Sequence, residues 1–406
     1  MFRCITNVRG LVFDIDCFEG EDVNALVDLF DEYELLFMTS SEEMAQSIVD
    51  SLGEDFVYKT EGFQRFFAPN KHTHTEVLDK LGIQATELVY VSRKIGFLRN
   101  AMSFIGGTAW ITDEISYEEA STAPDLICRS IDVLSKCLEE GVEGFFGEVV
   151  VYPDPSRHAG MIIPAEFESD QGIVPMYMLG RYFGYTHYMS QLHPYSSAIY
   201  LNKKEGSKSY GTYTAIFRDL ISAAVSRVID NYKIDGICAV PPRPGKANRF
   251  TGILDTVSRE YGLENYGPLL ICEKDYPSQK SLSYQERQEN IRGVFSFGCR
   301  LHGESIIIVD DIITTGATMN ECINTLYDAG AGEIYIVVLA VNQQGTNYWS
   351  SNEIQVSCPH CGSKMHLLIN SGSKGFFYSC YECRRSTMNF SDGREEVEEY
   401  VNQEYS

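Results

Sequence analysis

Apolar residues recur along the chain in two alternating patterns, short continuous runs and longer stretches with helical spacing. Residues 11–13 and 306–309 are continuous runs of Leu, Val, Phe and Ile, and acidic residues follow both runs directly. Runs that are apolar at every position are typical of strands buried on both faces of a parallel sheet. A helical pattern follows each run, at 23–30 and at 318–329. This alternation predicts an α/β protein.

The loop after the second run has a composition that suits a phosphate group. Asp310 and Asp311 end the predicted strand, and small and hydroxyl-bearing residues then lead into the helix, namely Thr314, Thr315, Gly316, Ala317 and Thr318. A tight turn at a helix N-terminus presents free N–H groups and the positive end of the helix dipole to an anion. Because the carboxylates can accept hydrogen bonds from sugar hydroxyls, the loop predicts a ribose 5-phosphate ligand. The alternative is an Asp–Thr cap on the next helix.

This loop, D-D-I-I-T-T-G-A-T, resembles the motif that binds 5-phosphoribosyl 1-pyrophosphate (PRPP) in type I phosphoribosyltransferases. A second candidate loop lies upstream, where the predicted strand 236–240 ends in a segment bent by Pro and Gly. Arg243, Lys246 and Arg249 in this segment offer charge-assisted hydrogen bonds to a pyrophosphate. A solvated basic turn is the alternative for this segment taken alone.

The segment between these two loops resembles the ComF-like branch of the phosphoribosyltransferases. The matching residues are Gln279, Leu282, Ser283, Arg287, Asn290, Gly293 and Phe295. The resemblance covers about residues 210–345 and implies that this segment closes over the site, with Lys280, Arg287 or Arg292 reaching the pyrophosphate. Ion pairs with neighbouring glutamates are the alternative for Arg287.

Together, the three motifs imply an enzyme that uses PRPP and Mg²⁺. The resemblance implies transfer of the phosphoribosyl group to a nucleobase or another small nitrogenous acceptor, which no residue identifies. It assigns the catalytic contacts to a set of acidic and basic residues, Asp310, Asp311, Arg243, Lys246 and Arg287. Binding of PRPP or a nucleotide without turnover, as a sensor or regulator, is the alternative function.

The first hundred residues carry another acid pair. Asp14 and Asp16 follow the first predicted strand, and Thr39 ends the second. This order, with Lys71 before the next helix, resembles the haloacid dehalogenase (HAD) superfamily, where such residues act as nucleophile, general acid/base, phosphoryl-holding hydroxyl and phosphate-steadying cation. Residues 92–94, Ser-Arg-Lys, stand where that family carries metal-binding acids. We therefore expect a HAD-like fold without phosphatase activity; a phosphatase acting through Asp14 and a plain doubly wound domain are the alternatives.

Four of the twelve cysteines form two C-x-x-C pairs near the C-terminus, Cys358 with Cys361 and Cys380 with Cys383. The spacing C-x₂-C-x₁₈-C-x₂-C is typical of a zinc ribbon, in which four thiolates close a tetrahedral site. A closed site predicts structural rather than catalytic Zn²⁺. Basic and aromatic residues surround the pairs, so contact with nucleic acid is an alternative to a purely packing role for the aromatics.

Composition and charge limit the other possibilities. The 406 residues are enough for two or three domains, and 44% of them are hydrophobic. The formal charge of −24 argues against a general nucleic-acid binder. No apolar run reaches the ~18 residues of a membrane span, and the N-terminus lacks a signal-peptide pattern, so we expect a cytoplasmic protein without membrane contact. A homo-oligomer is compatible with the sequence.

The expected architecture is a Rossmann-like HAD-type domain, a phosphoribosyltransferase-type parallel-sheet domain and a small β zinc ribbon. Apolar spacing predicts a helical connector after the first domain. An aromatic, β-rich segment follows, which we expect to pack on the transferase; a stacking surface for a nucleobase is the alternative. The acidic C-terminus is expected to be disordered. The predicted boundaries are 1–116 for the HAD-like domain, 117–141 for the connector, 142–210 for the aromatic segment, 211–350 for the transferase, 355–390 for the ribbon and 391–406 for the acidic tail.

Overall fold

The computed structural model describes residues 8–62, 68–139, 144–152, 160–203, 210–275, 290–345, 354–369 and 375–405. Within these ranges, two large sheets flanked by helices account for most of the chain, and a small three-stranded sheet lies near the C-terminus. None of the helices in these ranges is long and apolar enough to cross a membrane.

The first sheet is parallel throughout and has six strands. The strands are β1 (Gly10–Asp14), β2 (Glu34–Thr39), β3 (Val57–Lys59), β4 (Leu88–Ser92), β5 (Gly107–Ile111) and β6 (Leu126–Cys128). Their spatial order is β3-β2-β1-β4-β5-β6. The helices are α1 (Val23–Leu29), α2 (Glu42–Leu52), α3 (Lys71–Leu81), α4 (Ile95–Ser103), α5 (Tyr117–Ala120) and α6 (Ile131–Glu139). This order doubles back at β1, so the carboxyl ends of β1 and β4 border a crevice.

Burial on both faces explains why β1 is apolar throughout. Leu11 and Phe13 pack into the core on one face of the sheet, and Val12 packs into the core on the other. The helices begin at polar caps: the Ser41 hydroxyl accepts a hydrogen bond from Met44 N at 3.2 Å at the start of α2. The predicted parallel sheet of this region is therefore present.

The helix predicted after residue 116 is interrupted by a strand. Residues 126–128 form β6 and pair in parallel with β5. Leu126, Ile127 and Cys128 are all buried, because this short apolar run lies between the two layers of helices. Only α6, which starts at Ile131, has the predicted helical conformation over several turns.

The second sheet has seven strands, and the strand that contains the acid pair lies inside it. Its strands are β9 (Ile163–Ser169), β10 (Gly172–Met178), β11 (Arg181–Phe183), β12 (Gly236–Ala239), β13 (Glu264–Asn265), β16 (Ile306–Ile313) and β17 (Ile334–Gln343). The order is β13-β12-β16-β17-β10-β9, and β11 also pairs with β17. Two small sheets lie beside it, a parallel pair of β7 (Gly144–Phe145) with β8 (Gly160–Met161) and a hairpin of β14 (Leu270–Cys272) with β15 (Phe295–Phe297).

The helices around this sheet are α7 (Phe146–Val151), α8 (Pro194–Asn202), α9 (Tyr210–Ile229), α10 (Thr251–Tyr261) and α11 (Ala317–Ala329). The aromatic segment, residues 142–210, contributes both strands and helices to this part of the fold. Strands β9, β10 and β11 extend the second sheet itself, because both β10 and β11 pair with β17. Tyr188 and Tyr195 are buried in the core, whereas Tyr185 and Tyr200 are exposed. Packing is thus the role of some of these aromatics, as expected, but the segment is part of the sheet rather than only a cover on it.

The C-terminal end is folded. The small sheet consists of β18 (His366–Ile369), β19 (Phe376–Ser379) and β20 (Thr387–Asn389), and the helix α12 (Phe390–Glu404) follows it. The expectation of a disordered acidic tail is wrong for residues 391–405. Val397 and Val401 lie four residues apart on one face of α12 and are buried, so the acidic residues occupy a solvated face of an amphipathic helix.

The two large sheets are joined by hydrogen bonds. Glu166 N donates a hydrogen bond to the Ile115 carbonyl at 2.8 Å, and Gln344 N donates to the Ser121 carbonyl at 2.8 Å. The Gln343 side chain accepts a hydrogen bond from Ala123 N at 2.8 Å. Stretch 115–123 therefore lies along strands of the second sheet, close to the carboxyl end of β16.

Candidate active site

Two loops that are far apart in sequence line one cavity of about 500 Å³. Strands β12 and β16 are parallel neighbours, so the loops that follow them emerge at the same edge of the sheet. Residues 241–243 and 246–250 line one wall, and residues 310–319 line another. The predicted basic segment and the predicted phosphate loop are thus brought together, with Arg243 and Lys246 among the lining residues.

The predicted phosphate loop leads directly into α11. Gly316 precedes the first residue of this helix, Ala317, and has a φ of 77°. A Cβ at this position would lie 2.7 Å from the Phe167 ring, so glycine is required both by the backbone angle and by the close packing. The Tyr117 hydroxyl, from α5 beside the first sheet, donates a hydrogen bond to the Thr314 carbonyl. The loop is therefore held from outside as well as by its own helix.

The two acids of β16 differ in their surroundings. Asp310 is partly buried, and burial raises its pKa to about 7, although the charges of Arg249 and Lys203 act in the opposite direction. Asp311 forms ion pairs with the Lys203 ammonium at 2.9 Å and with the Arg249 guanidinium. The backbone N–H of Asp311 donates to Asp310 Oδ1 at 2.7 Å. Both carboxylates line the cavity.

Arg249 has a hydrogen-bond donor that is not used within the described part of the chain. One guanidinium nitrogen pairs with Asp311, while its Nη1 is shielded from solvent and has no hydrogen-bond partner within the described part of the chain. Such a shielded donor in a cavity wall suits an anion. Burial lowers the pKa of Arg249 from its usual value, with the charge of Asp310 acting in the opposite direction.

Lys203 and Tyr210 also line the cavity and were missed by the sequence patterns. Lys203 directly follows α8, in the segment predicted to pack on the transferase, with a stacking surface for a nucleobase as the alternative. The sequence does show two lysines at 203–204 between two helical stretches, but this pair does not indicate which carboxylate Lys203 contacts. Burial and the charge of Arg249 lower the pKa of Lys203 to about 8.

Much of the segment predicted to close over the site, including Gln279, Leu282, Ser283 and Arg287, lies outside the described residues. The chain is described again from Asn290. Gly293 N donates a hydrogen bond to Glu321 Oε1 at 2.6 Å, so the end of this segment is attached to α11.

Comparison with known proteins agrees with the motifs. Residues 280–366 match the phosphoribosyl transferase domain family. This match makes residues 280–366 similar to a phosphoribosyl transferase domain. A curated relative, competence protein F of Haemophilus influenzae, is 31% identical over 87 residues, which are 21% of this chain and 38% of the relative. The resemblance of this part of the chain to phosphoribosyltransferases is therefore supported, while the alignment spans well under half of that relative.

Two solved structures align with this chain at low scores. Adenine phosphoribosyltransferase is 16% identical, with 33% of this chain and 72% of that chain covered and a TM-score of 0.23. Leishmania donovani UMP synthase is 11% identical, with 83% and 86% covered and a TM-score of 0.21. Scores of this size support no conclusion about this chain.

A second cavity, of about 410 Å³, lies at the first sheet. It brings together Asp14, Asp16 and Thr39. Asp16 accepts hydrogen bonds from the Thr39 hydroxyl and, at 2.8 Å, from Ser40 N. Burial alone would raise the pKa of Asp16, but these hydrogen bonds outweigh it and lower the pKa below its usual value.

Asp14 faces a hydroxyl and a lysine in this cavity. Ser92 Oγ donates to Asp14 Oδ2 at 2.7 Å, and Lys94 Nζ lies 3.9 Å from the same oxygen. Burial raises the pKa of Asp14, against the effects of Ser92 and Lys94. Lys71 is not among the residues that line the described part of this cavity; its ammonium lies 5.8 Å from the centre of the Tyr405 ring.

The four cysteines of the C-x-x-C pairs converge, with all their sulfur atoms within 4.8 Å of one another. Cys358 Sγ lies 3.7 Å from Cys383 Sγ, and Cys361 Sγ lies 3.6 Å from Cys380 Sγ. Sulfurs bound tetrahedrally at about 2.3 Å from Zn²⁺ would be about 3.8 Å apart, so this donor set fits zinc. The family match ends at residue 366, between the two pairs.

Proposed function

We propose that the chain is a PRPP- and Mg²⁺-dependent phosphoribosyltransferase that acts on a nucleobase or another small nitrogenous acceptor. The observation that carries this proposal is the cavity in which the hydroxyl-rich loop, the acid pair and the basic loop meet. These three groups match the three parts of PRPP: a 5′-phosphate, a ribose and a pyrophosphate.

In this proposal, residues 314–318 bind the 5′-phosphate through backbone N–H groups at the start of α11 and through threonine hydroxyls. Asp310 and Asp311 accept hydrogen bonds from the ribose hydroxyls. Arg243 and Lys246 contact the pyrophosphate, and Arg287 is proposed to reach it from the segment outside the described residues. Arg249, with its shielded Nη1, is a further donor to the same group.

The reaction breaks the bond between C1′ and the pyrophosphate oxygen and forms a bond between C1′ and the acceptor nitrogen, which then loses a proton. Positive charge develops at C1′ and negative charge at the leaving group, so catalysis depends on positioning and on neutralisation of the pyrophosphate by the basic loop. The carboxylate oxygens of Asp310 and Asp311 are donors that Mg²⁺ prefers, directly or through water, and bound Mg²⁺ would add to that neutralisation.

The first sheet is proposed to be a HAD-like domain without phosphatase activity. The position of Lys94, 3.9 Å from Asp14, supports this, because a cation there repels Mg²⁺ and competes with it for the carboxylate. The four cysteines are proposed to bind structural Zn²⁺, since four thiolates leave no open coordination position.

The proposal is tested by pyrophosphate release from PRPP and Mg²⁺ with a panel of nucleobases and small amines. We expect Asp311→Asn to reduce the rate by about 100-fold or more, because it removes a contact to the reacting sugar, whereas Asp14→Asn leaves the rate within about threefold. Loss of activity in Asp14→Asn alone would favour the phosphatase. PRPP binding without pyrophosphate release from any acceptor would indicate a sensor.

A further inference from the structure

The proposed active-site cavity contains a cation from a separate structural element. Arg243, Lys246 and Arg249 all belong to the loop after β12, but Lys203 comes from the end of α8. Its base is fixed, because the buried Asn202 side chain donates to Thr214 Oγ1 at 3.0 Å and so ties the end of α8 to α9. Its tip reaches Asp311 at 2.9 Å.

Lys203 contributes to a local excess of positive charge. The four cations named above line the cavity against two carboxylates, Asp310 and Asp311, which leaves an excess of two positive charges in the described part of its wall. The chain as a whole has a formal charge of −24. The cavity therefore attracts anions locally although the protein as a whole repels them.

Binding of PRPP in the proposed way would bring the ribose hydroxyls into competition with Lys203 for Asp311. Each hydrogen bond from a hydroxyl to the Asp311 carboxylate weakens the 2.9 Å ion pair of the ammonium. The pyrophosphate and the 5′-phosphate are already matched by the basic loop and by residues 314–318. Lys203 enters the cavity from the wall formed by α8 and α9, beside Asp311, which is proposed to hold the ribose. The remaining reactant at that position is the acceptor.

A partly buried cation is more stable when it keeps an anionic partner. The Lys203 side chain is 46% exposed, so we expect its pairing to affect the choice of acceptor rather than folding. A site built around such a cation discriminates against an analogue that lacks the pairing group.

We propose that the acceptor carries a carboxylate near its nucleophilic nitrogen and that Lys203 pairs with this carboxylate. This inference rests on the proposed phosphoribosyltransferase function and narrows its acceptor to acidic nitrogenous compounds. Lys203 is then a residue that determines specificity, whereas the residues of the two loops bind PRPP.

The test uses matched compounds that differ in a carboxylate: nicotinate with nicotinamide, orotate with uracil, and anthranilate with aniline. Pyrophosphate release is measured with PRPP and Mg²⁺ present. We expect the wild type to favour the acidic member of at least one pair by about tenfold or more in kcat/KM. Lys203→Met should raise KM for that acid about tenfold, with kcat within about threefold and PRPP affinity not weakened, and Lys203→Arg should recover part of the loss. Lys233→Met, at a side chain that is 90% exposed, is the matched control and should change neither constant.

Preference for the neutral members, or a loss of PRPP affinity in Lys203→Met, would overturn the inference. If PRPP binds but none of these compounds releases pyrophosphate, the affinities of the acidic and neutral members for the PRPP-loaded protein are compared instead. Equal or absent binding of acidic and neutral members then contradicts the role of Lys203 and leaves the PRPP site standing. If PRPP itself does not bind, the proposed function fails, and acid binding that is independent of Lys203 refutes the inference separately.

Discussion

Two adjacent carboxylates on one strand have different electrostatic surroundings. Asp311 is held by two cations, whereas Asp310 lies deeper at the carboxyl end of β16 and has its pKa raised to about 7 by burial, against the opposing charges of Arg249 and Lys203. The acid pair therefore combines a carboxylate that is ion-paired with two cations and one whose pKa is raised to about 7. Replacing Asp310 should reveal this difference in the pH dependence of stability.

The unfolded chain ionises Asp310 near pH 4, whereas the folded chain keeps it protonated up to about pH 7. Its contribution to stability is therefore largest at low pH and is lost as the pH rises through 7. The free energy of unfolding of Asp310→Asn minus that of the wild type should be larger at pH 8 than at pH 5 by about 1–3 kcal/mol, because the amide does not ionise. Chemical denaturation at both pH values measures this; a difference between variant and wild type that is constant with pH would contradict it.

At the level of single residues, the sequence identified candidate site residues that lie next to one another along the chain. Asp310, Asp311 and the loop at 314–318 were predicted as candidates because they follow an apolar run and precede a helix; in the structure both acids lie within β16. Lys203 was missed because its contact with Asp311 depends on how α8 and α9 meet, which no local pattern encodes. The cation near Asp14 is Lys94, at the end of β4, and Lys71 lies elsewhere, because the neighbouring strand end is closer in space than the start of α3.

Among the elements, the ribbon depends on its four cysteines, since a module of this size has little core of its own. We expect one equivalent of Zn²⁺ per chain by elemental analysis, and Cys380→Ser should lose most of it and unfold the small sheet of β18, β19 and β20. Cys299→Ser, at an exposed cysteine outside the cluster, is the matched control and should keep its zinc. Full zinc occupancy in Cys380→Ser would contradict the four-cysteine site.

The elements that the sequence mispredicted are those whose type depends on tertiary surroundings. The three residues of β6 are too few to distinguish a strand from a helix turn, and pairing with β5 decides the outcome. Helix α12 was not predicted, because its many acidic residues favoured a disordered tail. It is stabilised by contacts outside its own sequence: Asn402 Nδ2 donates to Gln84 Oε1 at 3.0 Å, and Asn402 Oδ1 accepts from Thr86 N at 3.1 Å.

For the whole molecule, a buried ion network joins the two large sheets. Arg181, at the start of β11, pairs with Glu148 at 3.0 Å and with Asp125, near the first sheet, at 3.3 Å. The guanidinium also donates to the Pro124 carbonyl at 3.3 Å. Because stretch 115–123 supports the loop at 314–318 through Tyr117, this network indirectly holds one wall of the proposed active site.

Removal of this arginine should destabilise the protein strongly. Arg181→Met leaves two buried carboxylates without their arginine partner, and we expect a loss of about 3–5 kcal/mol of unfolding free energy. Arg218→Met breaks an exposed ion pair with Asp219 and should cost less than about 1 kcal/mol. Denaturant unfolding followed by circular dichroism compares the two; equal effects would show that the network contributes no more than a surface pair.

The most direct test of the central claim is calorimetric titration of PRPP, with Mg²⁺ present, into the wild type and into an Asp310→Asn/Asp311→Asn double variant. Asp328→Asn, at an exposed acid on α11, is the matched control. We predict one binding site per wild-type chain, unchanged affinity in the control and affinity lower by about 100-fold or more in the double variant. No binding to the wild type, or equal binding to the double variant, would contradict a PRPP site at the end of β16.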